Sequence, residues 1–96
     1  VDIDWEYPTK IGIACAADKT CQRADDKRNF VVLAQELRAA FDAAGAADGK
    51  SYLLTIASGA DVDYVNDGKD GSRWMTDLAK SLDWINLMSY DLYGAW

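Results

Sequence analysis

The sequence contains no histidine. That removes triads built on an imidazole base and most zinc sites, which need that ring as a ligand. Basic residues are scarce: ten Lys and Arg stand against sixteen Asp and Glu, a formal charge of −6. No basic stripe is present to track phosphates, so nucleic acid is not an expected partner. No apolar run approaches the ~18–20 residues of a membrane span, so no membrane partner is expected. Asn29, Asn66 and Asn86 all lack the Ser or Thr of a glycosylation sequon. There is a single proline, Pro8, and only two cysteines, Cys15 and Cys21, which without histidine make a poor metal site. Half of the 96 residues are apolar, enough for the core of one small domain and too many for a disordered chain.

What is present begins at the first residue. "VDIDWEYP" alternates Val1, Ile3 and Trp5 with Asp2, Asp4 and Glu6. Period-2 alternation predicts a strand over 1–6, with three acids on one face. Pro8 ends it, since a ring nitrogen cannot donate to a ladder. A polar loop over 9–25 carries both cysteines. A helix is predicted from Asp26 to Ala44, with Phe30, Leu33, Leu37 and Phe41 as its buried stripe. Asp25 or Asp26 is the expected N-cap and Gly45 the expected left-handed terminator. "SYLLTIASGA" reads as a buried strand and "DVDYVNDGKDGS" as a loop. A second helix follows over 73–81, with Met75, Leu78 and Leu82 facing inward, and then "WINLMSYD" as a third strand. No internal repeat or low-complexity segment stands out.

The order β-α-β-α-β suits parallel strands joined by helical crossovers. The ends read as internal to a larger domain. Val1 already lies in a strand, Trp96 closes an aromatic stretch with no polar tail, and three strands alone leave two open edges.

The acids invite chemistry. Residues at i, i+2 and i+4 of a strand share a face at roughly 7 Å per step. Neighbouring carboxylates raise one another's proton affinity, and an enclosed site adds desolvation. Glu6, nearest the strand's carboxyl end, is the one placed to reach a ligand as a general acid. The plainer alternative is a solvated acidic face or a weak cation site.

"DIDWEYP" resembles the end of the D-x-x-D-x-D-x-E signature of family 18 glycoside hydrolases, the chitinases, whose first Asp would precede Val1. "LMSYD" resembles the family's M-x-Y-D motif, while "LTIASGADVDYV" and "YGAW" are similar to its bacterial chitinase A branch. The resemblance implies an α/β fold, a partial (β/α)8 TIM barrel. Residues 1–96 would be one fragment of a single catalytic domain, spanning about strands 4 to 6 with their connecting helices. A whole barrel needs about 250 residues. The implied reaction is substrate-assisted, retaining hydrolysis of β-1,4-linked N-acetylglucosamine polymer.

The resemblance also implies roles for single residues. Glu6 is the acid/base. Asp4 orients the substrate's acetamide and offsets developing charge, with Asp2 supporting Asp4 from beneath. Tyr90 donates its hydroxyl to the acetamido oxygen. Met88, Asp91, Tyr7, Tyr93 and Trp96 are the implied sugar contacts. Met88 reads equally as core packing, Asp91 as a strand-end turn residue, and Tyr93 and Trp96 as anchors of their own loop. No cofactor and no metal is expected. Chitin or chito-oligosaccharide is the expected partner, and the parent enzyme an expected monomer. An extracellular location follows from the resemblance and from a local Cys15–Cys21 disulfide, which suits a secreted enzyme, although two free thiols fit the sequence as well. Alternative functions are an endo-β-N-acetylglucosaminidase acting on N-glycan cores, or a chitin-binding relative without catalysis. Glu6 argues against the latter. The isolated fragment is expected to be inactive.

Overall fold

The computed structural model describes residues 1–9, 23–65 and 72–95. Six elements follow in order: β1 (Asp2–Ile3), α1 (Asp26–Asp48), β2 (Thr55–Ser58), α2 (Val62–Val65), α3 (Trp74–Ala79) and β3 (Trp84–Leu87). The strands form one parallel sheet in the order β1-β2-β3. Asp2 pairs with Thr55, which pairs with Trp84; Ile3, Ile56 and Ile85 form the next row. The helices pack against one face of the sheet. The core there is Phe30, Ala34, Leu54, Ile56, Tyr64, Trp74 and Leu78. Burying a side chain the size of Leu54 or Ile56 contributes about 1.5–3 kcal/mol.

The predicted element order is present, and the differences lie in the boundaries. β1 leaves its ladder after Ile3, where Trp5 and Tyr7 turn into the helix layer. The expected strand over 51–60 pairs only at 55–58 because side chains take its earlier backbone groups. The Arg38 guanidinium donates to the Tyr52 carbonyl at 2.6 Å, and the Leu54 N–H donates to the Asp83 carboxylate at 2.7 Å. β3 stops at Leu87, although the Met88 N–H still reaches the Ser58 carbonyl at 3.0 Å. Beyond it Asp91 takes a left-handed φ of 51° and turns the chain. The stretch read as a loop after β2 contains a single helical turn, α2. Asp61 starts it by accepting the Asp63 N–H on its carboxylate at 2.8 Å and the Tyr64 N–H on its carbonyl at 3.1 Å.

The helix α1 corrects three expectations. Leu33 is 41% exposed, while Ala34 is fully buried. The stripe runs Phe30, Ala34, Leu37, Phe41, since one full turn from Phe30 lands nearer Ala34 than Leu33. Neither Asp25 nor Asp26 caps the N-terminus through its side chain. Asp26 is instead buried and folds back on Arg23, accepting its backbone N–H at 2.8 Å and its Nε at 3.0 Å. The helix also runs past Gly45 to Asp48, and Gly49 adopts the left-handed terminating conformation with φ 65°. The N–H groups of Gly49 and Lys50 both turn back to the Gly45 carbonyl.

Gly45 is buried under that returning chain, and a Cβ there would run into the Lys50 carbonyl oxygen. Helix propensity alone makes Gly→Ala favourable by about 1 kcal/mol. Gly45→Ala in the full-length protein is therefore expected to reverse that sign and destabilise by about 1–3 kcal/mol. Denaturant melts beside an exposed control such as Ala44→Gly check it. A raised midpoint for Gly45→Ala would show that the returning chain yields without cost.

Candidate active site

On β1 and its extension the parity set by the sequence holds. Ile3, Trp5 and Tyr7 are half-buried and pack on the core, while Asp2, Asp4 and Glu6 are exposed on the opposite face. Trp5 meets Phe30 edge-on at 5.3 Å between ring centroids, which holds this segment against α1. The neighbouring strands continue the acids' face. By register and alternation it carries Thr55 and Ala57 of β2, then Trp84 and Asn86 of β3 with Met88 and Tyr90 beyond.

The Asp2 carboxylate is bonded sideways into this surface. Its Oδ1 accepts the Thr55 hydroxyl at 2.6 Å and the Asn86 amide at 3.2 Å. The Asn86 carbonyl oxygen in turn accepts the Trp84 indole N–H at 3.1 Å. One chain of hydrogen bonds thus crosses all three strands. Thr55, Asn86 and Trp84 were not among the residues expected from sequence. The alternation that put Met88 and Tyr90 on one face, extended backwards, would have found Asn86 and Trp84.

Toward the carboxyl ends of the strands the core on the helix side is aromatic. Tyr7 meets Tyr64 at 6.4 Å, and Tyr64 meets Trp74 at 5.2 Å, both edge-on. Gly59 lets the two tyrosines approach: a Cβ there would lie 2.8 Å from the Tyr64 ring and 3.3 Å from Tyr7. Burial raises the pKa of the Tyr7 phenol, and the neighbouring Glu6 carboxylate raises it further. Tyr7 therefore belongs to the helix-side core by its ring, with its phenol beside the Glu6 carboxylate. Burial pushes the Tyr64 phenol up to about 12, with Asp61 and Tyr7 adding to the rise against a hydrogen bond at Gly59 that lowers it.

Past β3 the side chains open outward. Met88 is half-buried, whereas Tyr90 and Asp91 are exposed and Tyr93 is 92% exposed. Exposed aromatic faces can stack on the apolar faces of sugar rings. Cys15, Cys21 and Trp96 lie outside the described residues. Among the described residues no helix is long and apolar enough to cross a membrane.

Parallel strands, helices on one face and carboxylates at the carboxyl ends are the construction of a TIM-barrel-like α/β fold. The chain belongs to glycosyl hydrolases family 18, whose family model matches residues 1–96. It is 46% identical over 96 residues to Chitinase A1 of Niallia circulans, covering 100% of this chain and 12% of that protein. It is 38% identical over 97 residues to a probable endochitinase of Caenorhabditis elegans, covering 100% and 13%. Among solved structures it resembles a family 18 N-acetylglucosaminidase from Paenibacillus barengoltzii. That match has TM-score 0.74 and 41% identity, over 97% of this chain and 24% of that one.

The buried Tyr64 gives a measurable consequence. Its folded pKa of about 12 lies above the ordinary 10.0, so the folded state holds a proton that the unfolded state releases. Its contribution to stability is complete below pH 10 and is lost as pH rises from 10 through about 12. An ultraviolet difference titration of the full-length protein against Tyr64→Phe should place this phenol near the upper value. Titration at the ordinary value would mean that water reaches the ring.

Proposed function

We propose that residues 1–96 are part of the catalytic barrel of an enzyme that hydrolyses chitin, with Glu6 as the general acid and base. One observation carries this reading. Glu6 lies past the carboxyl end of β1, the furthest of the three acids along the chain, on the face turned away from the helices, with Asp4 and Asp2 behind it on the same face. The names of the matched relatives support chitin as the substrate class over N-glycan cores.

In this reading the protonated Glu6 carboxyl gives its proton to the glycosidic oxygen as the leaving sugar departs. The substrate's own 2-acetamido oxygen attacks the anomeric carbon and forms an oxazolinium ion, so no second carboxylate nucleophile is required. Asp4 holds the acetamide N–H and offsets the positive charge. The Tyr90 hydroxyl donates to the acetamido oxygen and keeps it in line, which removes entropy from the attack. Water then adds with Glu6 as base, and the configuration is retained. Met88, Asp91, Tyr7, Tyr93 and Trp96 contact the sugars. The active form is an extracellular monomer acting on chitin or chito-oligosaccharides, without a cofactor.

In the full-length protein Glu6→Gln should lower kcat on chito-oligosaccharides by about 10²–10⁴-fold. The amide keeps the shape of the acid, so oligosaccharide affinity should stay within a few-fold. Near-wild-type turnover would remove Glu6 from the acid's role, and a wild-type protein inert toward chito-oligosaccharides would remove the substrate.

Residues 1–96 expressed alone should neither hydrolyse chito-oligosaccharide nor melt cooperatively. Among the described residues both outer strands present open edges, and the acids face water rather than a closed barrel. A sharp thermal transition by circular dichroism together with hydrolysis would show a self-sufficient enzyme.

A further inference from the structure

The hydrogen-bond chain across the sheet has a direction. An indole N–H can only donate, so the Asn86 carbonyl must face Trp84 and its amino group must face Asp2. The Thr55 hydroxyl has one proton. It lies 2.6 Å from Asp2 Oδ1 and 3.4 Å from the Val1 carbonyl, so the carboxylate takes it. Thr55 is itself buried, which fixes its hydroxyl. Both donors end on the same oxygen, Oδ1, and come from two different strands. They set the plane of the Asp2 carboxylate and leave Oδ2 outside both bonds. The next side chain on that face is Asp4.

We propose that Asn86 and Thr55 are positioning residues that act through Asp2, with Trp84 fixing the orientation of the Asn86 amide. The inference rests on the chitin-hydrolysis reading and adds to it which groups outside the acidic motif hold that motif in register. A carboxylate locked by two donors presents one fixed oxygen to Asp4, and Asp4 in turn meets the acetamide. Without the donors the Asp2 carboxylate can rotate, and Asp4 loses a fixed neighbour. The penalty falls on the step in which the acetamide must be in line, because small displacements there are expensive. Ground-state sugar binding depends on other surfaces and changes little.

The test is a double-mutant cycle in the full-length enzyme on a soluble chito-oligosaccharide. Asn86→Ala and Thr55→Val should each lower kcat on the order of 10-fold, with KM within about twofold. Thr55→Ser keeps the hydroxyl and should restore most of the rate. Trp84→Phe keeps the ring, loses the donor, and should give a smaller loss of kcat in the same direction. In an Asp2→Ala background, which removes the acceptor, the Asn86→Ala cost should shrink to less than about twofold, since coupled residues do not add. A full second 10-fold loss in that background would overturn the proposal, as would equal rates for Thr55→Val and wild type. If Asn86→Ala fails to fold, the Thr55→Val and Thr55→Ser pair carries the same decision. A wild-type enzyme without chito-oligosaccharide hydrolysis, or an active Glu6→Gln, overturns the underlying reading instead; additive losses in an active enzyme overturn only this one.

Discussion

The site depends on the edge-on contact between Trp5 and Phe30. Side chains on an extended strand alternate, so fixing Trp5 against α1 fixes every neighbour. With Trp5 and Ile3 facing the helices, Asp2, Asp4 and Glu6 must face the other way. A one-residue slip would drive three carboxylates into an apolar layer and expose an indole. Burying even one unpaired carboxylate costs several kcal/mol, so the register is strongly specified. The same contact sets the rows beside it: once Asp2 faces away from the helices, so do its partner Thr55 and the next strand's Trp84 and Asn86.

The two ends of the sheet are built differently. At the amino ends, polar groups are tied together. Arg38 reaches the Tyr52 carbonyl, the Asp83 carboxylate at 3.1 Å and Asp42 at 2.9 Å. Asp83 also holds the Leu54 N–H, and its own N–H donates to the Leu54 carbonyl at 2.9 Å. Tyr52 donates to Asp48 at 2.6 Å, which joins the end of α1 to the approach of β2. One guanidinium thus fixes a helix to the starts of two strands. At the carboxyl ends Glu6, Tyr90, Asp91 and Tyr93 are exposed. Rigidity is concentrated at one end and reach at the other, the division that lets a β/α scaffold hold chemistry on its loops.

How much of this was legible follows from what each feature depends on. The acids' face and the long helix rest on local periodicity, which a sequence displays directly, and the parallel order rests on the alternation of strands and helices. Boundaries were less legible because distant side chains decide them. Nothing in "SYLLT" states that Arg38 and Asp83 will take the backbone of Tyr52 and Leu54. Gly45 looked like a helix end by residue type, yet it is a packing position under the returning chain; the true terminator is Gly49. Leu33 looked buried by hydrophobicity, yet Ala34 is the position that α1 buries in the core. Asp26 looked like a cap, and instead pairs with Arg23 just upstream. Thr55 and Asn86 carried no motif; only the register between strands brings them to Asp2.

The three acids of β1 are therefore not three copies of one group. Asp2 lies where the strand is still paired, and neighbouring strands fill its hydrogen-bonding capacity on one oxygen. Asp4 and Glu6 lie where the strand has left its ladder, beyond the last paired residue. Among the described residues Asp4 makes no hydrogen bond, and Glu6 has Tyr7 at its side. A carboxylate already engaged by fixed dipoles makes a steady electrostatic reference, because its surroundings need not reorganise during a reaction. One with unspent acceptor capacity is open to a further donor. From Asp2 to Glu6 the acids pass from one tied into the sheet by its neighbours to ones standing beyond the last paired residue. The cause is the distance each stands from the last rung of the sheet.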